Sequence, residues 1–329
     1  MKQIKLTGTA IGLALIFLLC GCSGTSSGTQ DEDSNPIHYK YKVGVVLKAM
    51  DSEYGLSLKS GIEAASEDFK INSVIVHPES ETDVKEQNIM INDMLNSDMD
   101  AIVVMPCDSY NTKQYMDKAR EKGIPVFAMD TEMYGEGEPY IGSDNKEIGI
   151  IAGKYMSELL GGKGTVAILA GTLIQSPHAE RLEGFKKYIE SETKIKIVYE
   201  EEAYCSFQEG VQKTKEIFAQ HPDIDGIFCT NATMALGVVD RMEFLDLKKQ
   251  IPIIGVDTQS DSIQKILDGK IAGMVSQSGY DIAYETIKTV AKYLNGEKVE
   301  GNIYIKSELI TKKNALKYLN AEQEIKPLR

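Results

Sequence analysis

From Tyr41 onward the chain alternates short apolar runs with longer amphipathic stretches, and this alternation limits the folds open to it. Runs at 42–47, 73–77, 101–105, 125–129, 165–170, 196–199, 226–230, 252–256 and 272–276 read as strands. Several are near-continuous in Val and Ile, the pattern of strands covered on both faces of a parallel sheet. Between them apolar residues recur at helical spacing. Leu58, Ile62, Ala65 and Phe69 form one stripe, and Ile148, Ile151, Ala152, Tyr155 and Leu159 a second. Ala283, Ile287, Val290, Ala291 and Leu294 form a third. Such alternation predicts βαβ units in open, doubly wound sheets. It runs about ten times, more than one compact open sheet holds, so two parallel-sheet α/β lobes are expected. The length agrees, since about 290 residues exceed what one core organises.

Polar residues stand at repeated places in this pattern. Asp130 follows PVFAM, Asn231 follows GIFCT, Asp257 follows PIIGV, and Gln277 ends AGMVSQ. In open α/β sheets ligands sit at the carboxyl ends of strands. Each of these residues alone also suits a helix cap or turn. Their shared location favours a site for a polar ligand rich in hydroxyls.

The N-terminus gives an address. Lys2 and Lys5 precede an apolar run from Ile11 to Leu19 that is too short to span a bilayer. The run closes on Leu19-Cys20-Gly21-Cys22-Ser23. Leu19 at −3 and Gly21 at −1 of Cys22 resemble the lipobox of bacterial lipoproteins, which implies lipidation at Cys22. Cys20 fits poorly, because Leu19 would stand at its −1 position. A plain secretory signal or membrane anchor is the alternative. Ser23 to Pro36 then reads as a flexible tether, with Asp31-Glu32-Asp33 a solvated part of it. The expected location is the extracytoplasmic face of the cell membrane.

The formal net charge is −13, and removing Lys2 and Lys5 with a leader makes it more negative. An acidic protein of this kind repels nucleic acid and anionic lipid, which points to small neutral molecules or proteins as partners. Cys107, Cys205 and Cys229 are odd in number and lack C-x-x-C spacing, so they read as buried or semi-buried thiols. The four histidines are not at ligand spacing from another His or Cys, so no metal site is indicated, and no cofactor is implied.

A series of motifs carries a family resemblance. KVGVVLKAMDSEYGLSLKSGIEAA opens it, followed by MPCDS at Met105–Ser109, IPVFAMD ending at Asp130 and YIGSDN at Tyr140–Asn145. RLEGF at Arg181–Phe185, the N-x-x-M-A-L-G run of Asn231–Gly237, IIGVD ending at Asp257 and VSQ ending at Gln277 complete it. From about Tyr41 to Ser307 the chain resembles the periplasmic sugar-binding proteins of ABC importers, of the ribose/galactose type. The resemblance implies two doubly wound lobes joined by three crossovers, placed near Ser143, Gln277 and Lys306, that close on ligand. It divides the chain into a leader at 1–22, a tether at 23–40, a first lobe of 41–143 plus 278–306, and a second of 144–277 plus 307–329.

The resemblance also implies that Asp130, Asn231, Asp257 and Gln277 hydrogen-bond sugar hydroxyls. Ser52 falls where an Asn often sits, and Tyr54 where an aromatic stacks on the sugar face. Thr131 stands where a family arginine commonly reaches the sugar, and Ala179 replaces a second. Gly55 and Cys205 stand in place of aromatics, and Ala232 in place of an aspartate. Lys48, His178, Arg181, Tyr204 and Tyr280 lie near enough in sequence to compensate. Each also has a plainer role open to it: Arg181 pairing with Glu180 or Glu183, Cys205 filling core, His178 capping a helix.

The expected function is a lipid-anchored, monomeric binding protein that captures a sugar or polyol for ABC permease subunits. A ligand sensor for a membrane receptor or sensor kinase is the alternative. A DNA-binding regulator shares the core but needs a basic helix-turn-helix head where this chain has an acidic tether. An enzyme is not expected, because Asp130 and Asp257 lie on different strands without a nucleophile–base arrangement.

Overall fold

The computed structural model describes residues 38–245, 250–299 and 301–324. In the first half, β1 (Tyr41–Val46), α1 (Glu53–Phe69), β2 (Ile71–Val76), α2 (Val84–Asn96), β3 (Ala101–Val104), α3 (Lys113–Lys122), β4 (Val126–Met129) and β5 (Tyr140–Ser143) follow in turn. Then come α4 (Asn145–Leu160), β6 (Lys163–Ala170), α5 (Ser176–Glu192), β7 (Lys194–Glu202), α6 (Phe207–Gln220), β8 (Gly226–Cys229), α7 (Ala232–Glu243), β9 (Ile253–Val256), α8 (Ser260–Leu267) and β10 (Gly273–Val275). The chain ends in α9 (Gly279–Leu294), β11 (Ile303–Ile305), β12 (Leu309–Ile310) and α10 (Ala315–Glu324).

Two six-stranded sheets result, ordered β11-β5-β4-β3-β1-β2 and β12-β10-β9-β8-β6-β7. The expected pair of doubly wound α/β lobes is what the chain forms. Strand for strand the two orders match, so β4 of the first lobe corresponds to β9 of the second. Pairing is parallel except at β12, which runs antiparallel to β10. Val45 faces Ile75 on one side and Val103 on the other, so the Val/Ile run of β1 is central in its sheet. Apolar clusters cover both faces of each sheet. This explains why these strands lack polar alternation.

Some elements differ from expectation. β7 runs through Glu200, Glu201 and Glu202, which a central strand could not tolerate; it is an edge strand, where charge blunts further pairing. β5, β11 and β12 are two to four residues long and present no apolar run to read. Leu159, expected in the buried stripe of α4, is 42% exposed one turn after the buried Met156.

The chain moves between sheets three times: from β5 into α4, from β10 into α9, and from β11 into β12. The last two passages are tied together. The Ser276 amide donates to Glu308 O at 2.8 Å, and the Glu308 amide donates to Ser276 Oγ at 2.8 Å. Helix α4, which carries Asn145, packs closely on α5, which carries Arg181. A Cβ on Gly149 would lie 2.2 Å from Arg181 O, and one on Gly184 would lie 2.1 Å from Lys146 O. Only glycine allows this approach, and backbone on the opposing side cannot yield cheaply. Gly149→Ala should therefore lower unfolding stability by about 1–3 kcal/mol in urea titration. A loss within error would mean that the two helices are free to separate.

Candidate ligand-binding site

The carboxyl ends of strands from both lobes meet at one cavity of about 640 Å³. Lys48 comes from the segment after β1, Asp130 from the end of β4, Asn231 from the end of β8, Asp257 from the end of β9, and Gln277 from the end of β10. Both aspartates have positive φ, 63° for Asp130 and 96° for Asp257. Aspartate is among the few non-glycine residues that visit this region, at some cost. Each is pinned by its amide, Asp130 to Ile141 O at 2.8 Å and Asp257 to Val275 O at 3.0 Å. The same irregular turn thus places a carboxylate at matching points of the two lobes.

Asp130 is 2% exposed and fully engaged. Its Oδ1 accepts from the Tyr54 hydroxyl at 2.5 Å and from Gln277 Nε2 at 2.9 Å. Its Oδ2 accepts from Thr131 Oγ1 at 2.8 Å and lies 3.6 Å from Lys48 Nζ. Lys48 also donates to Thr131 Oγ1 at 3.1 Å and to Gln175 Oε1, in the other lobe, at 2.9 Å. Arg181 does not pair with its sequence neighbours. Glu180 accepts from Tyr134, and Glu183 pairs with Lys146. The guanidinium turns inward, donating to Asn145 Oδ1 at 2.9 Å, Thr230 O at 2.8 Å and Gln277 Oε1 at 2.6 Å. Gln277 therefore links the arginine of one lobe to the aspartate of the other.

Asp257 is engaged less fully, its Oδ2 accepting from the Ala232 amide at 3.2 Å. Burial pushes its carboxyl up to about 6, with Arg181 opposing. Burial, then the Asp130 charge, raises the Tyr54 phenol well above its ordinary value, so it remains a proton donor. Burial first, then Arg181 and Lys48, holds His178 well below the ordinary imidazole range, so the ring is neutral. His178 Nδ1 lies 2.9 Å from Thr230 Oγ1 and its Nε2 lies 3.1 Å from Cys205 Sγ.

All but one of the expected residues line the cavity: Ser52, Tyr54, Asp130, Arg181, Asn231, Asp257 and Gln277. Thr131 is fully buried and does not line it; it braces Asp130 against Lys48. Capping accounts for two of them, since Ser52 Oγ accepts from the Gly55 amide and Asn231 Oδ1 from the Met234 amide. Asp130, Asp257 and Gln277 cap no helix. His178 and Cys205 depart from their plainer readings, as His178 is not the cap of α5 and Cys205 faces the cavity. Lys48 and Tyr204 line it as well, whereas Tyr280 stacks on Tyr284 instead. Gln175, with no exposure, escaped the sequence reading, as nothing in its loop marks it as the partner of a lysine 127 residues away. Cys107 and Cys229 are buried free thiols, and burial pushes Cys107 up to about 12. Cys22 and the 1–22 leader lie outside the described residues, as does most of the tether. Among the described residues no helix is long and apolar enough to cross a membrane.

The lobes touch across the cleft. Ser109 N donates to Ile174 O at 2.9 Å, Ser176 N to Ser109 Oγ at 3.0 Å, Glu132 N to Ser176 Oγ at 2.7 Å, and Ser260 N to Glu53 Oε2 at 2.6 Å. Oriented donors and acceptors facing a polar cavity suit reversible capture of a hydroxylated molecule.

Known proteins share this architecture. The model of the periplasmic binding protein domain matches residues 43–298. The ribose import binding protein RbsB of Bacillus subtilis (strain 168) is 26% identical over 299 residues, covering 91% of this chain and 96% of that protein. An ABC transporter periplasmic solute binding protein from Actinobacillus succinogenes 130z, solved with bound D-allose, superposes with a TM-score of 0.80 at 26% identity. It covers 85% of this chain and 100% of its own. A chain of the XylFII–LytSN complex superposes with a TM-score of 0.77 at 25% identity, covering 83% and 98%.

The raised Asp257 carboxyl has a consequence for stability. The unfolded carboxyl titrates near 3.8 and the folded one near 6. The folded state thus binds more protons between these values, and stability from this group falls as pH rises through them. Above about pH 6 the penalty is complete. Asp257→Asn should therefore stabilise the ligand-free protein at pH 7.5 by about 2–3 kcal/mol and much less at pH 4. Urea unfolding of both forms at the two pH values checks this; an equal difference at both would refute it.

Proposed function

The chain belongs to the periplasmic binding protein domain family, and from that premise we propose that it captures a sugar or polyol between its lobes and delivers it to an ABC importer outside the cytoplasm. It is a binding protein and not an enzyme, in line with its relatives. The observation that carries the sugar reading is the convergence of strand-end polar groups from both lobes on one cavity. Asp257 accepts from ligand hydroxyls, and Asn231, whose oxygen is used in capping, donates through its amide nitrogen. Ser52 and Tyr54 close over the ligand from the first lobe. Asp130, Thr131, Gln277 and Arg181 hold the frame. Ligand that touches both walls favours the closed lobes, which present the docking surface to the permease subunits.

A second reading keeps the ligand and changes the output. The likeness to a chain of the XylFII–LytSN complex supports assembly with a partner protein; in this reading a lipid-anchored monomer signals to a membrane sensor without transport. Both readings share a lipid anchor at Cys22 and a short tether that keeps the binder near its membrane partner.

Thermal-shift screening over pentoses, hexoses and polyols should find a stabilising ligand. Asp257→Ala and Asn231→Ala should each weaken its binding by about ten- to a hundredfold, the loss expected for a hydrogen bond to a charged or desolvated group. Unchanged affinity in both variants would remove the site assignment. Cys22→Ser should release the protein to the medium or leave the precursor uncleaved. Unaltered processing and membrane retention would contradict the lipid anchor.

A further inference from the structure

The aspartates at matching strand ends use their oxygens differently. Asp257 Oδ1 has no hydrogen-bond partner among the described residues, and Oδ2 has only the Ala232 amide. Asp130 receives Tyr54 and Gln277 on Oδ1, and Thr131 with the nearby Lys48 on Oδ2. A carboxylate offers about four acceptor sites; on Asp130 protein hydrogen bonds fill both sites of Oδ1 and one of Oδ2, and the Lys48 ammonium stands 3.6 Å from Oδ2. Resting on the sugar reading above, we propose that Tyr54 determines specificity: its hydroxyl takes the place of one ligand hydroxyl on Asp130, so the cleft selects deoxy sugars.

Tyr54 is built into this position. It lies in the first turn of α1, behind the Ser52 cap. Its ring packs against the core beneath the first sheet and against Gly279, where an added Cβ would lie 3.1 Å from a ring carbon. Glycine at the start of α9 thus makes room for the ring while the hydroxyl reaches Asp130. Leu58 and Met105 line the same wall. A ligand hydroxyl aimed at Asp130 Oδ1 either stays unbonded or displaces a donor such as the phenol from it, and both outcomes forfeit a buried hydrogen bond. A C–H or methyl group there forfeits nothing and gains contact with the ring and its apolar neighbours. The polar edge of the ligand then faces the second lobe, where Asp257 keeps an acceptor open.

Calorimetric titration of the wild-type chain and Tyr54→Phe with matched sugars tests this. The pairs are D-galactose and D-fucose, L-mannose and L-rhamnose, D-glucose and 6-deoxy-D-glucose, and D-ribose and 2-deoxy-D-ribose. In at least one pair the wild type should bind the deoxy member about tenfold or more tightly, the cost of one unmet buried hydrogen bond. Tyr54→Phe, which opens an acceptor on Asp130, should shrink that ratio about tenfold by gaining affinity for the hydroxylated member. Wild-type preference for the hydroxylated member in every pair overturns the inference and leaves the sugar reading standing. An unchanged ratio in Tyr54→Phe likewise removes the role of the phenol. Binding of none of these sugars overturns the inference, and overturns the sugar reading too if the thermal-shift screen finds no ligand. The wild-type ratios alone decide the matter if Tyr54→Phe fails to fold.

Discussion

Four charged groups are withdrawn from water together at the centre of this protein, and the rest of the site is arranged around their pairing. Lys48, Asp130, Arg181 and Asp257 are each 6% exposed or less. An unpaired ion in such a place costs several kcal/mol, so every one must find partners. The partners are drawn from both lobes: Lys48 reaches Gln175, and Arg181 reaches Gln277, whose amide nitrogen continues to Asp130. Opening the lobes exchanges bonds such as Lys48–Gln175 for bonds to water, a trade of small net value. A cleft governed by such exchanges can be tipped by a ligand that touches both walls.

Geometry at the strand ends makes this pairing possible. Positive φ at Asp130 and Asp257 turns their side chains into the cleft, where a continuing strand would have carried them past it. Backbone in that region costs of order 1–3 kcal/mol per residue and persists where the surroundings fix it. Here the neighbouring strand fixes each one, through Ile141 O and Val275 O. Glycines 149 and 184 play a related part, drawing α4 and α5 together so that Asn145 can hold Arg181. Structure that raises the free energy of the empty protein, including the buried Asp257 carboxylate, is concentrated where ligand would meet it.

The sheets were legible in the sequence because their central strands are covered on both faces and so read as Val/Ile runs. Strands β5, β11 and β12 were not, since two to four residues paired at a sheet margin carry little pattern of their own. Strand-end Asp130, Asn231, Asp257 and Gln277 could be marked as cleft residues, because the end of a parallel strand is a position that topology defines. Their partners could not. Arg181 has acidic neighbours on its own helix, yet it bonds residues 36, 49 and 96 positions away. Cys205 looked like a small core filler. Its position beside His178 depends on the loop before α6, where Tyr204 and Cys205 both have positive φ. Such contacts are set by how the lobes come together, which local pattern does not encode.

Where this chain has Thr131 and Ala179, arginines would have supplied fixed forks of donors to the cleft. Without them the charge beside Asp130 comes from Lys48, a single flexible ammonium already shared with Thr131 and Gln175. Arg181, which lines the cavity, uses three of its N–H groups on Asn145, Thr230 and Gln277. The donors beside Asp130 are thus engaged within the protein, as is most of the acceptor capacity of its carboxylate. Acceptor capacity open to the cavity sits on Asp257 of the second lobe, next to the amide of Asn231. A molecule entering the cleft therefore meets an open carboxylate on the second-lobe wall and, beside Asp130 on the other, a ring with the apolar neighbours Leu58 and Met105. That division matches the surface of a sugar, whose hydroxyl edge and C–H face call for different walls.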